Sequence, residues 1–240
     1  MTVARQWPGS AAFTLYLFVS AAVCALLLLP AVPLPRRVIY AAAAAWARSV
    51  LFMLRRLCKL DYVVEGLEHL PARSSVVLVK HSSAWETIAQ LRIFPRQTWV
   101  LKRELIWIPV FGWVLLKLKP IAIDRKGGRT AVQQVLQQGR QRLAEGIWVV
   151  IFPEGTRVPA GETRRYGMSG ALLAEAAGLP IVPVAHNAGD YWPRRSWLKR
   201  PGTIRVVIGP PIPTAGVDPR LVNERAQRWI EGTLATLRTR

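Results

Sequence analysis

The chain reads as an α/β protein, a mixed and largely parallel sheet flanked by helices, preceded by an N-terminal membrane-anchoring helical segment. Three observations predict this. Short runs rich in valine and isoleucine recur near residues 75–79, 120–124, 147–152, 181–185 and 203–208. Stretches of helical character separate them, the alternation that builds parallel sheets. Residues 11–29 carry no charge, enough for a helix of about 28 Å.

The anchor comes first. Arg5 alone precedes the uncharged run, which is long for a cleaved leader, so it reads as an uncleaved span. Pro30, Pro33 and Pro35 end that helix, and Arg36 and Arg37 open a second apolar run from Val38 to Leu54, closed by Arg55, Arg56 and Lys59. Two full spans would leave Arg36 and Arg37 outside, against the positive-inside tendency. One span followed by a helix in the interface fits the charges, and a shallow hairpin with snorkelling arginines is the alternative. The division expected is an anchor over 1–60 and a catalytic domain over 61–240.

Ser74 to Val79 is short and rich in valine, the pattern of a buried strand. Lys80 follows, then His81, and Ser82, Ser83 and Glu86 are suited to a helix start. His81 therefore falls where a strand turns into a helix, with Glu86 on the first helical turn. A carboxylate on one imidazole nitrogen fixes the tautomer and leaves the other nitrogen free to accept a proton. The pattern alone is also that of a structural histidine beside a capped helix. Ser82 as a covalent nucleophile lacks the surrounding G-x-S-x-G elbow.

Further along, Ile147 to Phe152 reads as another buried strand, running into Pro153-Glu-Gly-Thr-Arg157. Gly155 permits a left-handed turn, and Arg157 offers a planar fork for phosphate oxygens. Glu154 is placed to meet a substrate hydroxyl or to brace Arg157. His186, at the end of the 181–185 strand, and His69, in a polar turn, read as structural. Pro219 to Leu237 reads as an amphipathic helix packed on the domain.

His81 with four residues before Glu86, followed by Phe152-Pro-Glu-Gly-Thr-Arg157, resembles the 1-acyl-sn-glycerol-3-phosphate acyltransferase family. The family's first motif ends in aspartate where this chain has Glu86, one methylene longer. Two further blocks resemble the family: Lys102-Arg-Glu-Leu105 with Pro109 and Gly112, and Ile121-Ala-Ile-Asp-Arg125. A last one, Leu179 to Ala185, carries Pro183.

The resemblance implies His81 as general base and Glu86 as its orienting partner. It implies Lys102, Arg103, Arg125, Glu154, Gly155, Thr156 and Arg157 around the substrate, and Pro183 at an acyl pocket. It further implies acyl-CoA or acyl carrier protein as donor, lysophosphatidic acid as acceptor, and no metal or other cofactor. Other lyso-lipids, such as lyso-ornithine lipid, are acceptors that these motifs leave open.

Composition adds the partner. Lys and Arg number 33 against 14 acids, a net charge of +19 over 240 residues, which calls for a polyanion. The apolar N-terminus points to anionic lipid rather than nucleic acid, with the catalytic domain on the cytoplasmic side of a bacterial inner membrane. A membrane-anchored polyanion-binding protein is the rival reading, and it has no use for His81. Cys24 and Cys58 have neither zinc spacing nor a disulfide framework around them, in keeping with a reducing compartment.

Overall fold

The computed structural model describes residues 6–31, 33–124 and 127–238. Helices α1 (Trp7–Leu28) and α2 (Arg36–Cys58) lead into strand β1 (Leu60–Glu65). Then come β2 (Val76–Val79), α3 (Trp85–Ile93), β3 (Gln97–Lys102), α4 (Phe111–Lys117), β4 (Ile121–Ile123), α5 (Arg129–Ala144) and β5 (Trp148–Ile151). The chain closes with α6 (Ser169–Ala177), β6 (Ile181–His186), the short α7 (Ala188–Tyr191), β7 (Gly202–Ile208) and α8 (Pro219–Arg238).

Among the described residues the strands form one seven-stranded sheet in the order β1-β7-β6-β2-β5-β3-β4. The pairings are parallel except that of β6 with β7. This is the mixed, mostly parallel sheet flanked by helices that the sequence predicts. All five expected strands are present; β1 and β3 are additional.

Both faces of the sheet are covered, which is why β2 and β5 are apolar at every position. Val77 and Val79 of β2, with Val150 of β5, pack against Ala47, Val50 and Leu54 of α2. Val76, Leu78 and Val149 turn the other way, onto Val135 of α5, Leu173 of α6 and Ile230 of α8. The period-2 alternation of a strand divides each run between two cores.

The second N-terminal helix is thus part of the domain's own packing, and Tyr40 on it donates its hydroxyl hydrogen to the Gln97 carbonyl. Helix α1 lies over α2. A side chain at Gly9 would bring its Cβ to 2.2 Å from the Leu57 carbonyl oxygen, so the close crossing requires glycine there. Trp46 Nε1 donates to Ser20 Oγ at 3.2 Å farther along. Both helices are long and apolar enough to cross a membrane. Leu15, Phe18, Val19, Val23, Leu26 and Leu27 of α1 are exposed, an apolar surface that water does not favour.

Candidate active site

Strand β2 continues for one more ladder bond, from the Lys80 amide to the Val184 carbonyl (3.1 Å), and the chain then leaves the sheet at His81. The turn into α3 is held by Glu86. Its Oε1 accepts from the amides of Ser82 (3.0 Å) and Ser83 (2.9 Å) and from His81 Nδ1 (2.8 Å). The reach-back of a first-turn carboxylate to the amides before its helix is the logic of a capping box. Here the same oxygen also takes the imidazole, so the five-residue spacing closes because the turn is folded around the carboxylate.

Burial works to raise the Glu86 carboxyl. The hydrogen bond from His81, the neighbouring His186 and the Ser83 amide outweigh it and hold the group below the usual carboxylate range. Glu86 is therefore an anion, Nδ1 of His81 is the protonated nitrogen, and Nε2 is left with the basic lone pair. The ring stacks on Phe152, with centroids 4.2 Å apart and planes 22° from parallel.

Phe152 begins the second motif, at the end of β5. The Gly155 amide donates to the Phe152 carbonyl (3.0 Å) in a tight turn, with Gly155 at φ 68°. The turn brings the Val158 amide to the His81 carbonyl at 2.8 Å. The glutamate of this motif meets a different partner from those expected. Glu154 faces inward, its Oε1 3.2 Å from buried Lys80 Nζ and 3.5 Å from the His81 amide. A carboxylate this deep needs a cation, and Lys80, directly after β2, supplies it. Burial still pushes its carboxyl up to about 7, with Lys80 working in the opposite direction.

His81, Phe152 and Arg157 line a cavity of about 460 Å³ that is otherwise chiefly apolar. Ala21, Cys24 and Ala25 of α1, Ala43 and Trp46 of α2, and Val114 and Leu115 of α4 form much of its wall. The Nε of Arg157 is buried and has no hydrogen-bond partner among the described residues, while its carbonyl accepts from Arg194 Nη1 at 3.1 Å. The 106–116 run divides between this wall and the exterior, where Trp107 and Trp113 are exposed.

The remaining predicted residues lie elsewhere. Lys102 pairs with Glu104 at 2.9 Å on the surface. Neither Lys102 nor Arg103 lines the cavity, although Leu101 and Leu105 on either side do. Gly155 is exposed and Thr156 partly so. Pro183 is buried inside the sheet, in register with Leu78, its carbonyl bonded to the Gly209 amide; it is not among the cavity-lining residues. Arg125 lies outside the described residues.

Two residues near the pair were not singled out from the sequence as site residues. His186 donates from Nε2 to the Lys80 carbonyl (2.8 Å), accepts the Ala188 amide on Nδ1 (3.3 Å), and sits 3.9 Å from Glu86. Burial lowers its pKa, with Glu86 working in the opposite direction. Lys80, placed directly after four buried apolar residues, was the signal that its partners would be buried too.

A strand-to-helix turn thus presents a carboxylate-held histidine, one ring nitrogen left to take a proton, beside an apolar cavity. The Acyltransferase family model matches residues 61–187, and the chain belongs to that acyltransferase family. It is 46% identical over 195 residues to the 1-acyl-sn-glycerol-3-phosphate acyltransferase of Pseudomonas aeruginosa, covering 80% of this chain and 76% of that one. Identity to the human 1-acyl-sn-glycerol-3-phosphate acyltransferase alpha is 28% over 194 residues, 80% of this chain and 69% of that one. The fold matches the crystal structure of the 1-acyl-sn-glycerophosphate (LPA) acyltransferase PlsC from Thermotoga maritima with a TM-score of 0.79. That match covers 95% of this chain and 96% of the other at 22% identity.

Proposed function

We propose that this acyltransferase moves a fatty acyl group from acyl-CoA or acyl carrier protein to the sn-2 hydroxyl of lysophosphatidic acid, giving phosphatidic acid. The observation that carries the reading is the His81–Glu86 pair, 2.8 Å apart, on the wall of a cavity that also holds Arg157. The names of the relatives supply the acceptor.

In this mechanism Nε2 of His81 takes the hydroxyl proton as the oxygen attacks the thioester carbon. The new C–O bond forms, the C–S bond breaks, and the proton passes from the imidazolium to the departing thiolate. Glu86 keeps the ring oriented and stabilises its charged form. Arg157, on the wall of the same cavity, holds the phosphate through its planar guanidinium fork. Together they fix the hydroxyl near the base, while the cavity takes an acyl chain. Arg125 and Thr156 are proposed as further phosphate ligands. The reaction written this way runs without a metal or a bound cofactor.

In this reading the apolar outer surface of α1 and the exposed tryptophans at 107 and 113 meet lipid, and the acceptor reaches the cavity from the membrane. The excess of Lys and Arg attracts both acidic donors and anionic lipid, and favours the cytoplasmic face of a bacterial inner membrane. The test is acyl transfer from oleoyl-CoA to lysophosphatidate in membranes, comparing wild type with His81→Ala at equal expression. Loss of about two to four orders of magnitude in the variant supports the base and the acceptor together. Equal rates would sink the mechanism. Turnover only with another lyso-lipid would replace the acceptor and keep the chemistry.

A further inference from the structure

We infer that the C-terminal helix α8 is a positioning element of this active site, acting from Glu231 through Lys80 and Glu154 onto the backbone of His81. This deepens the acyltransferase reading and rests on it. The family model ends at residue 187, so α8 lies beyond the matched region.

Lys80 is 1% exposed, and its ammonium has three hydrogens to place. Three acceptors surround it: Glu231 Oε1 at 2.7 Å, Glu154 Oε1 at 3.2 Å and the Glu162 carbonyl at 3.3 Å. They come from α8, from the Phe152–Arg157 motif and from the loop after it. Tyr166, also buried, donates to Glu231 Oε1 at 3.0 Å. The other end of Lys80 is bound as well, its amide to Val184 and its carbonyl to His186. His81 follows immediately, with its own amide on Glu154.

The contact with α8 is a stripe. Asn223, Gln227 and Glu231 stand four residues apart, one face of a helix. Asn223 Nδ2 donates to the Tyr166 carbonyl (3.3 Å), and Gln227 Nε2 to the Arg164 carbonyl (3.3 Å). Beside them Val222, Ala226, Ile230 and Leu234 fill the core, which sets the helix firmly enough to serve as a reference. A buried ion cluster is rarely better for stability than apolar residues of the same volume; what this one supplies is a fixed distance between α8, the arginine-bearing turn and the histidine.

The experiment is Glu231→Gln in the full-length protein, with Lys80→Met and Lys80→Arg beside it. Three things are measured: kcat and KM for lysophosphatidate and oleoyl-CoA, thermal unfolding, and hydrogen exchange of the 80–86 amides. Glu231 is partly exposed, and the amide keeps its shape, so the variant folds. The expected result is a kcat lower by about tenfold with both KM values within about twofold, because a small misplacement of a base costs rate rather than binding. Lys80→Met falls further, Lys80→Arg recovers part of the loss, and the 80–86 amides exchange faster.

An unchanged kcat in Glu231→Gln overturns the inference, whatever the exchange or melting shows. So does a raised KM with kcat kept. Should wild type itself fail to acylate lysophosphatidate from oleoyl-CoA, the proposed donor or acceptor is wrong. Exchange at 80–86 then decides for α8 if it quickens and against it if it does not.

Discussion

The carbonyl of His81 accepts a 2.8 Å hydrogen bond from the amide of Val158, so the two motifs, some seventy residues apart, meet through the backbone before any side chain is considered. The histidine and the arginine are thereby set on one scaffold. Rate in such a site depends on geometry held to fractions of an ångström. The consequences can be measured.

Glu86→Gln keeps the size and an oxygen for the Ser82 and Ser83 amides, but removes the charge that stabilises the protonated imidazole. Saturating acyl-transfer assays should show kcat reduced by about two to four orders of magnitude, with KM values within about twofold. A fall of less than about tenfold would mean that Glu86 serves the turn and not the reaction.

Glu154 predicts a pH effect on stability. Its carboxyl, ordinarily near 4.5, is raised to about 7 in the folded chain. Between those values the folded state holds a proton that the unfolded chain has released, so this group's contribution falls as pH rises through the window. Glu154→Gln should remove that slope, narrowing the wild-type change between pH 4.5 and 7 by at most about 3 kcal/mol. Denaturant titrations of both proteins across that range check it; parallel curves would place the carboxyl at its ordinary value.

Ala43 lines the cavity from α2. Ala43→Phe occupies space that the acyl chain would take, at about 0.8 kcal/mol for each methylene displaced. Competition between long and short acyl-CoA donors should move toward the shorter chain by about tenfold or more. An unaltered preference would show that the chain lies elsewhere.

Lys199 is buried between the rings of Phe13 and Trp192, within 5.5 and 5.1 Å of their centroids. It donates to the Trp197 carbonyl at 2.8 Å and to Thr14 on α1. Lys199→Ala removes this clasp between α1 and the 191–200 segment. Unfolding in detergent micelles should show a loss of about 2 kcal/mol, with hydrogen exchange quickened in residues 9–16. Unchanged exchange there would leave the Gly9 crossing as what seats α1.

The elements differ in how far they could be read from the chain. Strands β2 and β5 announced themselves because both faces are covered and every position is apolar. Strand β1 did not, since it is an edge strand whose residues beyond Leu60 are partly exposed or exposed, and its partner β7 lies some 140 residues downstream. Strand β3 mixes Gln97, Thr98 and Lys102 with its apolar residues, and only its pairing with β4 and β5 makes it a strand.

The site shows the same division. His81 and Glu86, Gly155 and Arg157 are legible because each motif is a local arrangement: a capped turn within six residues, a glycine turn within five. Such geometry depends on dihedral preferences and near neighbours, which the chain carries from one residue to the next. Glu154 turning inward to Lys80, Glu231 arriving from α8, His186 standing behind Glu86 and Pro183 lying inside the sheet depend on which strands and helices become neighbours. That is settled by burying two cores at once, a sum over contacts far apart in sequence, and no local pattern records it.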